Sequence, residues 1–254
     1  MGAPMSAPCP CAERVGGAAT DADTCAIIVA GGSGERFGDP RGKQFVELCG
    51  LPLMAWSVMA FDRAPSVARI VVVCPPDRAG EVQGDVLSRL SLAKPVALAP
   101  SGQTRQDSVR SGLEASPRDL PLVAVHDAAR PLVEAAQIEE VCAALRADAS
   151  LAGAILATRS VDTLKLVEGN TIVATPDRSF YWAAQTPQVF TRRALWSAHR
   201  AAEREGYQGT DDASLVERLG GRVCVVESTR DNLKVTLPED LALAEATLER
   251  RLLG

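Results

Sequence analysis

Ala26-Ile27-Ile28-Val29-Ala30-Gly31-Gly32-Ser33-Gly34-Glu35-Arg36 decides the fold of this chain. Its first half is a short apolar run whose β-branched residues suit a strand buried on both faces, as in a parallel sheet. Its second half sets Gly31, Gly32 and Gly34 where that strand tip turns over, so backbone N–H groups can approach an anion closely. Arg36 and, seven residues on, Lys43 bring a guanidinium and an ammonium to the same loop, enough to neutralise several phosphate charges. The loop is not one of the common phosphate cradles. No Gly-Lys-Ser/Thr ending follows, and Phe37 stands where a dinucleotide fingerprint needs its last glycine.

Working outward, apolar strand-like runs recur at 26–30, 70–74, 96–99, 122–126, 152–157 and 223–226. Segments with helical spacing or composition lie at 53–61, 80–90, 104–113, 135–147, 192–205 and 238–252. This alternation predicts one Rossmann-like α/β domain over 25–254, a mostly parallel twisted sheet with helices on both faces and ligands at the C-terminal strand ends. Residues 158–190 break the rhythm with alternating stretches around Glu168-Gly169, which predicts a projecting β-arm of the kind that reaches a partner subunit. Residues 1–24, rich in Ala, Pro and Gly with few large apolar side chains, are expected to be a flexible extension.

A net charge of −5 argues against nucleic-acid binding through a broad basic surface, so any anion site is local. No apolar run is long enough for a membrane span, and residues 1–24 lack a basic start followed by an apolar core. Seven scattered cysteines match neither a disulfide framework nor a zinc pattern, and Cys9-Pro10-Cys11 has no second pair beside it. Reduced thiols in a cytoplasmic protein are the expectation.

Two further stretches carry chemistry. His126-Asp127-Ala128-Ala129-Arg130-Pro131 follows a strand directly, so Asp127 sits at a strand tip where a carboxylate can hold Mg²⁺, or another divalent cation, against phosphate oxygens. Arg130 is suited to a second anionic group or to an ion pair with Asp127, and His126 reads as a packed strand-end residue. In Arg230-Asp231-Asn232-Leu233-Lys234-Val235-Thr236, Asp231 is a candidate second metal ligand and Lys234 a candidate phosphate ligand. Thr236, ahead of Pro238 and Glu239, also has the spacing of a capping box.

Together these stretches resemble the 2-C-methyl-D-erythritol 4-phosphate cytidylyltransferase family of nucleotidyltransferases. Ser101-Gly102-Gln103-Thr104-Arg105-Gln106-Asp107-Ser108, Thr175-Pro176-Asp177-Arg178, Gln185-Thr186-Pro187-Gln188-Val189-Phe190 and Thr210-Asp211-Asp212-Ala213-Ser214 extend the match, in order, over about residues 24–252. The resemblance implies transfer of a cytidylyl group from CTP to 2-C-methyl-D-erythritol 4-phosphate, releasing pyrophosphate, in non-mevalonate isoprenoid precursor synthesis, with Arg36 and Lys43 as the catalytic cations. It implies that Ala30, Gly31, Gly32, Ser33, Gly34, Gly102, Ser108, Asp127, Ala128 and Lys234 meet CTP. It further implies that Asp127, Arg130, Thr186, Lys234 and Thr236 meet the acceptor, with Thr163 and Arg178 delivered by the arm of a second subunit in a homodimer. Asp127 and Asp231 would hold Mg²⁺, with Asp211 as the rival of Asp231. The chain departs from the family pattern in three places: Gly31 where alanine is frequent, Gln103 where an acidic or small polar residue is frequent, and Gly42 where proline usually precedes the catalytic lysine. The alternatives are a ribitol 5-phosphate cytidylyltransferase and an inert nucleotide-binding module on the same fold.

Overall fold

The computed structural model describes residues 22–32, 37–39 and 41–253. Its centre is a seven-stranded sheet in the order β11-β7-β10-β6-β1-β4-β5. The strands are β1 (Thr24–Val29), β4 (Val67–Cys74), β5 (Val96–Pro100), β6 (Leu122–Asp127), β7 (Gly153–Arg159), β10 (Trp182–Thr191) and β11 (Val223–Glu227). Two small hairpins, β2–β3 (Glu47–Leu48 and Leu51–Pro52) and β8–β9 (Leu166–Glu168 and Thr171–Ala174), lie apart from it. All neighbours in the large sheet are parallel except β10, which runs antiparallel to both β6 and β7.

Burial on both faces explains the apolar runs. Ala26, Ile28 and Ala30 pack into one core with Met54, Val58 and Phe61 of α1 (Leu53–Arg63) and Ile138, Val141 and Leu145 of α4 (Ala135–Ala147). Cys25 and Ile27, pointing the other way, pack with Val109 and Leu113 of α3 (Arg105–Ala115), Leu195 and Ala198 of α5 (Arg192–Glu205) and Leu215 of α6 (Asp212–Arg218). A third, smaller cluster joins Leu48 and Leu53 to Val235 and to Ala244 and Leu248 of α7 (Pro238–Leu253). It fixes the segment that carries Lys234 against the elements next to Lys43.

Three expectations change. Residues 80–90 do not form one helix: 3-10, α and π turns succeed one another over 76–89, with the one-turn α2 (Ala79–Glu81) among them. Gly80 and Gly84 weaken a continuous helix there, while Val82 and Val86 keep their buried spacing. The arm does not extend to 190, because residues 182–191 are a central strand and the projecting hairpin is β8–β9. The extension predicted for 1–24 overlaps β1 at Thr24, and residues 1–21 lie outside the described set.

Topology places the site. From β1 the chain moves to β4 and β5, then returns to lay β6 on the other side of β1. The loops after β1 and β6 therefore diverge at a switch point of the strand order, where open α/β sheets bind ligands. Val29 is level with Asp127 across the ladder, so the glycine loop and the Asp127 loop leave the sheet side by side.

Candidate active site

The glycine loop after β1 meets the loop after β5. Ala30 N–H donates to the Val73 carbonyl and Ser101 N–H to the Cys74 carbonyl, extending both strand tips (2.8 Å each). A Cβ on Gly31 would collide with the Ser101 side chain, so only glycine lets these loops touch. Thr104 caps α3 in a reciprocal capping box with Asp107. The buried Ser108 hydroxyl accepts from Gly102 N–H (3.1 Å) and donates to the Thr104 carbonyl (2.9 Å). Ala30, Gly31, Gly32, Gly102 and Ser108 are thus gathered at one edge, with Ala128 tied to it through its N–H bond to the Val29 carbonyl. Ser33, Gly34 and Arg36 lie outside the described residues.

Asp127 is the hub. Arg105 Nε donates to its Oδ1 (3.0 Å), Lys234 Nζ to its Oδ2 (2.7 Å), and its own N–H donates to Thr186 Oγ1 (3.1 Å). Burial pushes the Asp127 carboxyl up, but Arg105 and Lys234 together outweigh it and hold the group below the usual carboxylate range. Arg105 Nη1 also binds Asp212 Oδ2 (2.8 Å), and His199 Nε2–H donates to Asp212 Oδ1 (3.0 Å). Arg105, Asp212 and His199 carried no predicted role. For Arg105 a signal was present: the Thr104-x-x-Asp107 capping box places it on the first turn of a helix beside the loop.

The partners of the His126 ring fix its tautomer. Its ring is fully buried, with Nε2 3.2 Å from the Arg130 carbonyl and Nδ1 3.1 Å from Thr186 Oγ1. A carbonyl only accepts, so Nε2 carries the proton and Nδ1 accepts from the Thr186 hydroxyl. The Thr186 proton is therefore committed to His126 while its oxygen holds Asp127 N–H, a role in shaping the Asp127 turn. Asn232 Nδ2 donates to Gln185 Oε1 and to the Thr186 carbonyl (3.0 Å each), and Arg130 Nη1 donates to the Asn232 carbonyl (2.7 Å). These bonds tie the Thr186 loop to the segment carrying Lys234.

Lys43 reaches the same segment. It opens a 3-10 turn, Lys43–Phe45, and its Nζ donates to the Val235 carbonyl (2.8 Å), whose N–H donates to the Ala129 carbonyl (2.8 Å). Lys43, Lys234 and Asp127 thus share one small neighbourhood beside the two loops.

A family model described as 2-C-methyl-D-erythritol 4-phosphate cytidylyltransferase matches residues 24–250. The chain belongs to this family. Among its relatives, enzymes of that name from Prochlorococcus marinus and Geobacillus thermodenitrificans are 44% and 43% identical over 227 and 229 residues, covering 89% of this chain and 98% and 97% of theirs. The crystal structure of the Thermus thermophilus cytidylyltransferase has a TM-score of 0.70 at 32% identity, covering 88% of this chain and 98% of that one. That of the Anaerococcus prevotii 4-diphosphocytidyl-2C-methyl-D-erythritol synthase has a TM-score of 0.79 at 26% identity, covering 89% and 96%.

Other predicted residues stand elsewhere. Asp231 is turned outward to Arg250 (3.1 Å) and Arg251 (3.9 Å), and it does not join Asp127. Asp211 caps α6 through Ser214 N–H and accepts from Gln188 Nε2 (2.7 Å). Among the described residues no three His, Cys, Asp or Glu side chains converge on a metal position. Thr163 and Arg178 lie exposed on the arm, where Arg178 Nη1 donates to the Val161 carbonyl. The cap expected of Thr236 and Glu239 is made by Asp240, which accepts from Thr236 N–H (2.7 Å) and Leu237 N–H (2.8 Å). The Thr236 hydroxyl turns instead to the Lys234 carbonyl (3.3 Å). Gly42, in the usual proline position, has φ +92° and ψ 142° and is pinned by bonds to Asp39 and Phe45.

Proposed function

We propose that this chain transfers a cytidylyl group from CTP to 2-C-methyl-D-erythritol 4-phosphate, releasing pyrophosphate. The observation that carries this is the Asp127–Lys234 pair at the β6 tip, set between the glycine loops and Lys43. A phosphate oxygen of the acceptor attacks the α-phosphorus of CTP. A new P–O bond forms there as the bond to the β-phosphate oxygen breaks and pyrophosphate leaves. The protein's task is to position two anions and stabilise the charge that builds between them.

Lys43, with Arg36, neutralises the α-phosphate and the leaving group. Lys234 and Arg130 draw in the acceptor phosphate, and the backbone at Ala30–Gly32 and Gly102 reads the cytosine edge. Asp127 suits Mg²⁺, because this ion takes one or two carboxylates and completes its shell with phosphate oxygens and water. When bound, Mg²⁺ would supply charge neutralisation at the triphosphate. Since Asp231 and Asp211 face other partners, Asp127 is the protein ligand in this proposal.

The same proposal makes the protein a homodimer whose arms exchange, bringing Thr163 and Arg178 to the partner's acceptor site. Exposed Leu166, Val167, Ile172, Val173 and Phe180 on the arm support it, because a lone two-stranded hairpin does not hold such side chains in water. A cytoplasmic location is supported by Cys25, Cys74 and Cys142, buried thiols outside any disulfide. No helix among the described residues is long and apolar enough to cross a membrane.

The test is pyrophosphate release with CTP and Mg²⁺, comparing 2-C-methyl-D-erythritol 4-phosphate, ribitol 5-phosphate and no acceptor. Release with the first alone is expected. Release with only the second would reassign the acceptor, and none with either would reject the activity.

A further inference from the structure

We propose that Asp212 is a positioning residue for the transfer. From behind the site its carboxylate fixes the Arg105 guanidinium, and Arg105 in turn fixes which Asp127 oxygen faces the substrates. The kinetic consequence rests on the proposed cytidylyl transfer, whereas the geometry does not.

Asp212 cannot act on substrate directly, since its side chain is 1% exposed. Both of its oxygens are spent inward, Oδ2 on Arg105 Nη1 (2.8 Å) and Oδ1 on His199 Nε2 (3.0 Å). Arg105 bridges two carboxylates through two different nitrogens of one rigid plane, Nε to Asp127 and Nη1 to Asp212. Its backbone is fixed as well, because it follows the Thr104 N-cap on the first turn of α3. With Oδ1 of Asp127 held by Arg105, Oδ2 is the oxygen shared with Lys234, whose side chain is 41% exposed on the open side. The buried bridge therefore orients the carboxylate.

Stability alone is a weak reason for such a bridge. Removing charges from water costs about as much as their pairing returns, and apolar replacements of similar volume are often neutral. What a guanidinium adds is direction: five donors in a fixed plane, which a lysine ammonium on a flexible stem does not reproduce.

The experiment uses the full chain with D212N, R105K and the double variant. Pyrophosphate-release kinetics are combined with ¹⁵N NMR of the arginine Nε–H groups, the Arg105 signal being assigned by its loss in R105K. D212N and R105K are each expected to lower kcat by about tenfold or more while KM for CTP stays within about threefold. The double variant should be no worse than R105K, since the two residues act as one unit. The Arg105 Nε–H signal should be protected from exchange in the parent and weakened in D212N. A D212N kcat within about twofold of the parent, losses that multiply in the double variant, or an unchanged Nε–H signal would each overturn the proposal. If D212N does not fold, R105K decides: parental kcat overturns the proposal, and a tenfold loss at an unchanged thermal midpoint supports it. A parent inert with every acceptor counts against the proposed function, and the Nε–H signal then decides the positioning role.

Discussion

Gly42 shows how one backbone angle overrides a family habit. At φ +92° a proline ring, locked near −65°, does not fit, and an added Cβ would stand 2.7–2.9 Å from the Gln44 side chain. Gly42→Pro, although it restores the usual family residue, is expected to lower kcat by about tenfold or more by moving Lys43 off its 3-10 turn. Steady-state kinetics check this, and parental turnover would mean the loop re-forms around the ring. His126 supplies the pH dependence. Burial pushes its imidazole down to about 4, with the Asp127 charge and the hydrogen bond to the Arg130 carbonyl opposing and the Arg130 and Arg105 charges assisting. The unfolded chain therefore binds a proton that the folded chain refuses, so stability falls as pH drops from about 6.5 toward 4. The loss is on the order of 3 kcal/mol, the free-energy equivalent of that shift. Asp127 behaves in the opposite sense to a raised group. Its depressed carboxyl contributes full stability above about pH 4, lost as the medium becomes more acid. Urea unfolding with chelator at pH 7 and pH 4.5 should show the His126 slope, flattened in His126→Asn; an equal slope in both would remove His126 as its source.

Among the elements, those with one repeating environment were legible in the sequence. β1, β4 and β6 are buried on both faces, which demands the continuous Val, Ile and Ala runs that mark them. β10 was not legible, because Gln185-Thr186-Pro187 interrupts it where its pairing with β7 shifts register. Gln185 meets Asn232 and Thr186 meets the Asp127 turn, so both answer to the site, with little left for an alternating pattern. α6 was missed because seven residues carry too little periodicity to announce a helix. On the arm, Val167 pairs with Ile172 across the hairpin, and both are exposed. Val167→Lys combined with Ile172→Glu replaces that apolar pair with a cross-strand ion pair, which keeps the hairpin paired while making its face polar. For the proposed arm-exchanged dimer, sedimentation should show a dimer for the parent and a monomer for this variant, with a higher KM for the acceptor. A persisting dimer would place the subunit contact elsewhere.

For the whole molecule, what could be read in advance was what is local in the chain. The glycine loop and Asp127 each follow an apolar run, so strand-tip logic finds them one at a time, whereas Lys234 lies in a loop seven residues past the end of β11. Their grouping depends on contacts between distant segments, as in the Arg105–Asp212 bridge across 107 residues, and no local pattern announces those. Asp231 shows the converse. Three positions from Lys234 it looked like part of the site, yet α7 supplies Arg250 and Arg251 to draw it away.

The reversed direction of β10 has a last consequence. β7 ends at Arg159 opposite the start of β10 at Trp182, so the arm leaves and re-enters the sheet on the side where Asp127 lies. In the proposed dimer, each reaction chamber is then assembled from two copies of the chain. A Lys43→Ala chain, nearly inert by itself, and an Arg178→Ala chain, impaired at limiting acceptor, should complement at low acceptor concentration when mixed through unfolding and reassociation. Random pairing makes about half of the dimers hybrid, each with one undamaged chamber, so about a quarter of all chambers should recover. Recovery well below that share, in hybrids shown to form, would mean that each chain completes its own chamber.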